Sequence, residues 1–202
     1  MQRSLFDRGG VRKYLTARER VAFAHAACRQ QENIATFCLT LAFTGARISE
    51  VLNLTRDRVD LANGAIVFES LKRRRRGLFR AIPVSARLLE LLERVHELDR
   101  TDREPGERLW KWGRTTAWKH VKTVMHEAKI GRAQAMPKAA RHAFGVDAVQ
   151  NSVALNIVQK WMGHARLETT AIYTDLLGDE ERELARRSWS ALERAIGTPR
   201  VR

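Results

Sequence analysis

Four side chains of the sequence could together bind and attack a phosphodiester. They are Arg47, Arg141, His164 and Tyr173, in that order along the chain. The planar guanidinium of arginine can bind two phosphate oxygens at once, and it does not lose its charge at physiological pH. A tyrosine hydroxyl can act as the nucleophile and form a covalent phosphoester. The set therefore indicates a phosphoryl transfer in which the tyrosine attacks a phosphodiester and breaks a strand, such as one of DNA.

Composition favours a nucleic-acid partner for this chemistry. The 202 residues carry a formal net charge of +14, which attracts a polyanion. An anionic membrane surface is the second candidate. Separately, the sequence has no run of about 18 apolar residues, so no spanning helix is expected. Hydrophobic residues make up 44%, enough for a packed core. Cys28 and Cys38 lack a metal-type spacing and indicate reduced cysteines of a cytosolic protein.

The elements that must position these residues are predicted to be mainly helical. Thr16 and Glu19 have capping-box spacing, so a helix should follow to about Cys28. Apolar spacing and glycine or proline breaks predict the other helices. These are about Ile34 to Phe43, a short helix with Ile48, Val51 and Leu52, one after Ser85 with Leu88, Leu91, Leu92, Val95 and Leu98, one with Trp118, Val121, Met125 and Ala128, one after Pro137, Leu155 to Met162, and Glu180 to Ile196.

One small antiparallel hairpin accompanies the predicted helices. Its strands are Ala65 to Ser70 and Leu78 to Val84, after a turn at Asn63-Gly64. The hairpin tip contains one lysine and four arginines: Lys72, Arg73, Arg74, Arg75 and Arg76. These four arginines, with Arg80 of the second strand, are predicted to contact the DNA backbone. Such contacts make binding depend strongly on salt but not on base sequence.

The chain is predicted to form one domain, because no linker divides it. Its fold class is α+β, mainly α with a small antiparallel β-sheet. The core should span about residues 15–177, and a C-terminal helix and tail should occupy residues 178–202. This single domain over residues 1–202 is large enough to bury a sizeable core.

Three segments resemble motifs of the tyrosine recombinases, also called phage-type integrases. The segment from Thr44 to Glu50 resembles their first arginine box, and Ala140-Arg141-His142 resembles their second. Met162-Gly163-His164, followed nine residues after the histidine by Tyr173, resembles their closing pattern. The segments stand in the family's order, so the sequence is identified as a member of this family. The resemblance implies the tyrosine recombinase catalytic-domain fold.

The resemblance also implies a role for each residue of the site. Arg47 and Arg141 would hold the scissile phosphate, and Tyr173 would attack it to leave a 3′-phosphotyrosine and a free 5′-hydroxyl. His164 would hydrogen-bond a non-bridging oxygen. Because the protein–DNA ester keeps the energy of the broken bond, no ATP, metal or other cofactor is expected.

Four further residues would support this reaction. Glu50 would orient Arg47 from one helical turn away, and His142 is expected to support the site without reacting. Lys72, the only lysine of the hairpin, would protonate the leaving oxygen as general acid. Lys138 stands where the family usually has histidine. It could donate to a phosphate oxygen, but as a fixed charge, because lysine titrates near about 10.4 and histidine near about 6.5.

Double-stranded DNA is the expected partner, and no membrane partner is expected. By the resemblance, the working unit is a homotetramer on two DNA sites whose protomers exchange C-terminal segments; for the free protein, monomer and dimer both stay open. The expected location is the cytoplasm, at the nucleoid. Family members usually carry a separate helical DNA-clamp domain before the catalytic one. Only about fifteen residues precede the first helix here, so we expect this N-terminal core-binding domain to be absent, either because the protein is a natural minimal recombinase or because the chain is a truncation.

Structural interpretations and other functions stay open beside this one. Arg47 could be a structural partner of Glu50, His164 a helix cap, Tyr173 a core residue, Lys72 a simple phosphate contact and Lys138 a solvated side chain. Ala154 to Tyr173 could instead form the helix-turn-helix of a regulator. A catalytically weak or inactive accessory DNA-binding protein would keep the same fold. A relaxing type IB topoisomerase shares the tyrosine chemistry, but the short spacing between His164 and Tyr173 favours a recombinase.

Overall fold

The computed structural model describes residues 5–70, 77–100, 102–131 and 134–174, and the separate positions 185, 186, 189, 192 and 194. In the continuous ranges the helices are α1 (Ala17–Cys28), α2 (Glu32–Thr44), α3 (Ile48–Leu52), α4 (Ala86–His96), α5 (Arg114–Glu127), α6 (Pro137–Gln150), α7 (Leu155–Met162) and α8 (Glu168–Ala171). The strands are β1 (Val59–Asp60), β2 (Ala65–Glu69) and β3 (Phe79–Pro83). The predicted mainly helical fold with a small antiparallel sheet is confirmed. No helix within the described ranges combines the length and the apolar character that crossing a membrane requires.

Helix α1 begins where the capping-box pattern predicts. The backbone N–H of Glu19 donates to Thr16 Oγ1 at 3.3 Å, and the backbone N–H of Thr16 donates to Glu19 Oε2 at 2.8 Å. Arg12 adds a bidentate pair to the Glu19 carboxylate, with both hydrogen bonds at 2.6 Å. These contacts satisfy N–H groups that have no partner inside the helix, and they tie the preceding loop to the helix start.

Helix α2 lies at the centre of the core. Its residues Phe37, Cys38 and Leu41 are buried, and the helix packs against α1, α4 and α6. The ring of Trp110 meets Phe37 edge-on at 5.2 Å, and its indole N–H donates to the carbonyl of Asn33. Burial raises the pKa of the Cys38 thiol to about 12. The thiol therefore stays protonated and acts as a small packing group.

The three strands form an antiparallel sheet in the order β1–β2–β3. Strands β2 and β3 are the predicted hairpin, with Ile66 opposite Ile82 and Phe68 opposite Arg80. Strand β1 is absent from the sequence predictions because two residues are too few to show strand alternation. The hairpin tip, with Lys72 and the four arginines after it, lies outside the described residues.

Helices α6, α7 and α8 follow one another and carry the second half of the candidate site. Pro137 is the first residue of α6, a position where its missing N–H is not needed. Helix α7 ends at Gly163, which adopts the left-handed conformation at φ +60°. Helix α8 is not predicted, because its four residues are too few to show helical periodicity. Most of the predicted helix from Glu180 to Ile196 lies outside the described residues.

Candidate active site

Gly45 and Arg47 connect α2 to α3 at the first arginine box. Gly45 ends α2 in the left-handed region at φ +58°, and a Cβ there would lie 2.5 Å from the ring of Phe144 on α6. Glycine alone meets both the backbone conformation and this close packing. Arg47 then directly precedes the first residue of α3, and 26% of its side chain stays exposed.

The buried carboxylate of Glu50 holds Arg47 by two hydrogen bonds. Arg47 donates from its backbone N–H to Glu50 Oε2 at 2.8 Å and from Nη1 to Glu50 Oε1 at 2.7 Å. Burial by itself would raise the pKa of the Glu50 carboxyl, but the charges and hydrogen bonds of Arg80 and Arg47 hold it below its ordinary value. The carboxylate is therefore ionised at neutral pH, and it fixes the direction of the Arg47 side chain.

Arg141 links the ends of two helices. It donates from Nη1 to the carbonyl of Gly45 at 2.7 Å and from Nη2 to the carbonyl of Met162 at 2.5 Å. Burial, and then the like charge of Arg47, lower the pKa of Arg141 to about 10, so it stays cationic at pH 7. The two guanidinium groups are thus close enough to repel each other. That repulsion favours an anion in the space beside them.

Tyr173 is buried, with 1% of its surface exposed. Its ring packs against α6 at Gly145, where a Cβ would lie 2.5 Å from the phenol carbon Cζ. Its hydroxyl shares a hydrogen bond of 3.2 Å with Nδ1 of His142. Burial raises the pKa of Tyr173 to about 12, and the charges of Arg141 and Arg47 oppose this shift. The hydroxyl is therefore protonated at neutral pH in this conformation.

Two histidines flank the Tyr173 ring. His164 stacks on it at a centroid distance of 6.3 Å, and His164 Nδ1 shares a hydrogen bond of 2.9 Å with Thr170 Oγ1. His142 is buried, and burial together with the charge of Lys138 lowers the pKa of His142 to about 4. His142 is therefore neutral at pH 7. Within the part of the chain that the structure describes, its Nε2 atom has no hydrogen-bond partner.

The structure brings six of the thirteen predicted site residues into one cluster of contacts. Those brought together are Arg47, Glu50, Arg141, His142, His164 and Tyr173. Lys138 is exposed in the first turn of α6, near enough for its charge to act on His142. The remaining predicted residues, Lys72, Arg73, Arg74, Arg75 and Arg76, lie outside the described residues, so their roles stay predictions.

The position of Arg80 corrects one prediction. The sequence groups Arg80 with arginines that contact the DNA backbone from an exposed tip, but only 6% of its side chain is exposed. It instead pairs with Glu50 at 2.7 Å and donates from Nε to the carbonyl of Trp161 at 2.7 Å. The reason is strand alternation, which turns Arg80 and Ile82 to the covered face of the sheet.

Gly145 and Thr170 complete the surroundings of Tyr173 and His164, and the sequence predictions included neither. A glycine within helix α6 is the signal that could have revealed Gly145, since glycine weakens a helix and often has a packing reason there. Thr170 carries no such signal, because nothing in its spacing marks it as a partner of His164.

The cluster carries more positive than negative charge. Three guanidinium groups, those of Arg47, Arg80 and Arg141, lie within electrostatic range of the Glu50 carboxylate. Among the described residues, no group of three or more histidine, cysteine, aspartate or glutamate side chains could hold a metal ion. The nitrogen donors gathered here are of the kind that bind phosphate oxygens.

Comparison with known proteins assigns the family. The model of the phage integrase family matches residues 13–180, so the chain belongs to the phage integrase family. It is 29% identical over 166 residues to the tyrosine recombinase XerA of Pyrococcus furiosus, a match that covers 79% of this chain and 55% of that protein. The chain spans about half the length of the curated relatives it matches. Membership predicted from the three motifs is thereby confirmed.

Solved structures of recombinases share the fold. The crystal structure of XerA recombinase matches with a TM-score of 0.73 and 25% identity, over 87% of this chain and 64% of that chain. The XerH site-specific recombinase, solved in complex with its difH substrate, matches with a TM-score of 0.71 and 20% identity, over 89% of this chain and 59% of that chain. The predicted tyrosine recombinase fold is confirmed.

Proposed function

We propose that this protein is a site-specific DNA recombinase or integrase that cleaves and rejoins strands through a 3′-phosphotyrosine intermediate. The observation that carries the proposal is the grouping of charge and nucleophile: the charges of Arg141 and Arg47 act on the Tyr173 hydroxyl, and His164 stacks on the Tyr173 ring. Membership of the phage integrase family supports it, as does the order of the three motifs.

Arg47 and Arg141 would hold the scissile phosphate. Each terminal nitrogen of Arg141 donates one N–H to a backbone carbonyl, and these two bonds fix the plane of the guanidinium. Further N–H groups of Arg141 then remain for phosphate oxygens. Arg47 is held by Glu50 and is partly exposed, so a DNA phosphate can reach it. Negative charge grows on the non-bridging oxygens in the transition state, and cations fixed in advance stabilise it.

Tyr173 would lose its hydroxyl proton to solvent and form the bond to phosphorus as the bond to the 5′ oxygen breaks. Its hydroxyl is buried against His142, so attack requires an outward movement of the phenol ring. The charges of Arg141 and Arg47 already favour the phenolate, and they would continue to do so beside the phosphate. Lys72 is proposed to give its proton to the leaving 5′ oxygen. Attack of a 5′-hydroxyl on the phosphotyrosine would reverse these steps and reseal the strand without ATP.

His164 and Lys138 would complete the contacts to the phosphate. His164 is fixed beside Tyr173 by stacking and by its bond to Thr170, from where a ring N–H would reach a non-bridging oxygen. Lys138, exposed at the start of α6, would add a fixed positive charge. The position of α6 supports this role, since the same helix carries Arg141.

Double-stranded DNA is the proposed partner. The net charge of +14 supports this, and the structurally similar XerH recombinase is itself bound to a DNA substrate. Arg73, Arg74, Arg75 and Arg76 are proposed to follow the DNA backbone near the cleavage site. We also propose a homotetramer on two DNA sites, in which the segment 180–196 packs on a neighbouring protomer, and a cytoplasmic location at the nucleoid.

The helix-turn-helix alternative receives no support from the structure. Helix α7 corresponds to the first helix of that motif, but α8 has only four residues, too few for a recognition helix in a DNA groove. Tyr173, just after α8, is buried instead of displayed to solvent. An inactive accessory protein would share the fold and differ only in reactivity, so a chemical experiment separates it from the enzyme.

A nicked suicide duplex supplies that experiment. After cleavage a short strand fragment diffuses away, so the protein stays covalently attached to the DNA. We expect the wild-type protein to form an SDS-resistant adduct on a pool of such duplexes with a randomised central sequence. Tyr173→Phe should form none, because phenylalanine lacks the attacking oxygen. Tight binding without an adduct from either protein would instead identify an inactive DNA-binding protein.

A further inference from the structure

The buried ion pair between Arg80 and Glu50 has no place in the reaction described so far. Arg80 lies in β3, where alternation exposes Phe79 and Ala81 and covers Arg80 and Ile82. The side chains of Arg80 and Glu50 are 6% and 0% exposed. Burying two charges costs free energy, and an apolar pair of similar size often packs at least as stably. Sheet packing alone therefore gives little reason for arginine at this position.

The guanidinium of Arg80 is fixed from several sides. Its Nη2 donates to Glu50 Oε2 at 2.7 Å, and its Nε donates to the carbonyl of Trp161 at 2.7 Å. The group also lies over the ring of Phe68, 5.4 Å from the centroid. A Cβ at Gly163 would come within 3.2 Å of its Cζ and Nη1, so glycine leaves the room that it needs. The planar fork of arginine fits these acceptors, whereas the single nitrogen of lysine does not.

Arg80 and Arg47 share the Glu50 carboxylate. Oε2 accepts from Arg80 Nη2 and from the Arg47 backbone N–H, while Oε1 accepts from Arg47 Nη1 at 2.7 Å. The charge of Arg80 offsets that of the carboxylate, so Arg47 keeps its own charge for a phosphate. Without Arg80, the pair of Glu50 and Arg47 would be neutral as a unit and would attract a phosphate less.

Arg80 also holds the end of α7. It bonds the carbonyl of Trp161, and Arg141 bonds the next carbonyl, that of Met162. His164 follows two residues later. Two buried arginines from different elements thus fix the helix end from which the site histidine extends.

We propose that Arg80 is a positioning residue, which holds Glu50 so that Arg47 stays oriented and keeps its charge available for the scissile phosphate. The inference rests on the proposed recombinase function and adds a residue of strand β3 to it. Arg80 acts through Arg47 and does not itself touch DNA.

Arg80→Gln tests the proposal, because glutamine keeps polar contacts and removes the charge. On the suicide duplex, the rate of adduct formation per folded molecule is expected to fall about 10- to 100-fold, less than the 10²–10³-fold typical of losing a direct donor. Arg80→Lys restores the charge without the fork, so its rate should lie between those of wild type and Arg80→Gln. Unchanged rates for both variants would overturn the proposal.

A duplex with a methylphosphonate at the scissile position separates the effect of charge from general damage. It replaces a charged oxygen by a methyl group, so Arg47 has less negative charge to stabilise. The difference between wild type and Arg80→Gln should then shrink to within about threefold. An equal loss on both duplexes would show that Arg80 supports the fold and not the charge of Arg47. If Arg80→Gln does not fold, Arg80→Lys is judged on the two duplexes by the same criterion.

Arg56→Gln is the matched control. Arg56 is also buried, and it donates to the carbonyls of His96 and Glu97, which do not contact Glu50. This variant should lose thermal stability and keep the wild-type rate per folded molecule on both duplexes.

Absence of an adduct from the wild-type protein would count against the recombinase function. A wild-type adduct with an undiminished Arg80→Gln rate would count against the role of Arg80 alone.

Discussion

Helices α1 and α3 begin with the same contact but use it differently. In each, a glutamate accepts a hydrogen bond at 2.8 Å from the backbone N–H of the residue three positions earlier, Glu19 from Thr16 and Glu50 from Arg47. The residue before α1 is a threonine, whose hydroxyl caps the helix in return. The residue before α3 is an arginine, which has no acceptor and cannot cap.

This difference separates a helix start built for stability from one built for a reaction. A cation at a helix N-terminus opposes the helix dipole, so Arg47 sits at an unfavourable place for α3 alone. The glutamates differ as well, because Glu50 is fully buried whereas 22% of the Glu19 side chain is exposed. Helix α3 thus has no side-chain cap and has a buried carboxylate, that of Glu50. In return, the Arg47 guanidinium is held in one orientation and stays accessible. A local loss of stability at this position is the mark of a functional site.

Arg47→Ala should give the largest effect, and it tests the role of Arg47 at the start of α3. Adduct formation per folded molecule is expected to fall about 10²–10³-fold, because a preorganised phosphate donor is lost. The free energy of unfolding should change by less than about 1 kcal/mol, since alanine caps no worse than arginine and Glu50 keeps its pair with Arg80. Suicide-duplex kinetics and urea denaturation measure the two quantities. A large loss of stability with an unchanged rate would make Arg47 structural.

Acid should weaken the candidate site through His142 of α6, whose folded-state pKa of about 4 lies below its ordinary value near 6.5 because of burial and the charge of Lys138. Between these values the unfolded chain binds a proton that the folded protein excludes, so stability falls as pH drops through this window. The loss is of order 1–3 kcal/mol, and His142→Gln should remove it. Urea denaturation near pH 7 and near pH 4.5 measures the difference.

A matched control exists for this pH dependence. Burial, with the charge of Arg56, lowers the pKa of His96 to about 4 as well. His96→Gln should therefore flatten the stability curve in the same window, although His96 does not contact Tyr173. If the wild-type and His142→Gln proteins lose equal stability between the two pH values, His142 is not kept neutral by the fold.

Local chemistry made most of the fold predictable from the sequence. Thr16 and Ser85 mark helix starts because their hydroxyls accept backbone N–H groups of the first turn, and the structure has both bonds. Gly163 marks a helix end because its left-handed conformation favours glycine. Strand β1 and helix α8 escaped prediction because elements of two and four residues carry no periodic signal.

The site was predictable where motifs define it and not where distant contacts do. Arg47, Arg141 and Tyr173 stand in patterns that can be read along the chain. Arg80 follows a run of arginines, a composition that indicates exposure, and its burial depends on Glu50, thirty positions earlier. Gly145 likewise matters only because the Tyr173 ring packs against it. Which side chain faces which neighbour is set by packing, and the sequence does not display it.

Thr16→Ala should give the smallest effect and tests the α1 side of the comparison. Losing the hydroxyl that caps α1 is expected to lower the free energy of unfolding by about 1 kcal/mol. Thr16→Ser keeps the hydroxyl, so its free energy of unfolding should stay within about 0.5 kcal/mol of the wild-type value. Adduct formation per folded molecule should not change in either variant, because the contacts of Thr16 lie at the start of α1 and include no site residue.

The two helix starts should therefore respond in opposite ways. At α1 a substitution lowers stability and spares the rate, and at α3 a substitution lowers the rate and spares stability. The contrast follows from the partner of each glutamate. Glu19 forms a helix cap with Thr16, whereas Glu50 orients the guanidinium of Arg47. A slower rate for folded Thr16→Ala would contradict it, because the start of α1 would then contribute to the geometry of the phosphate site.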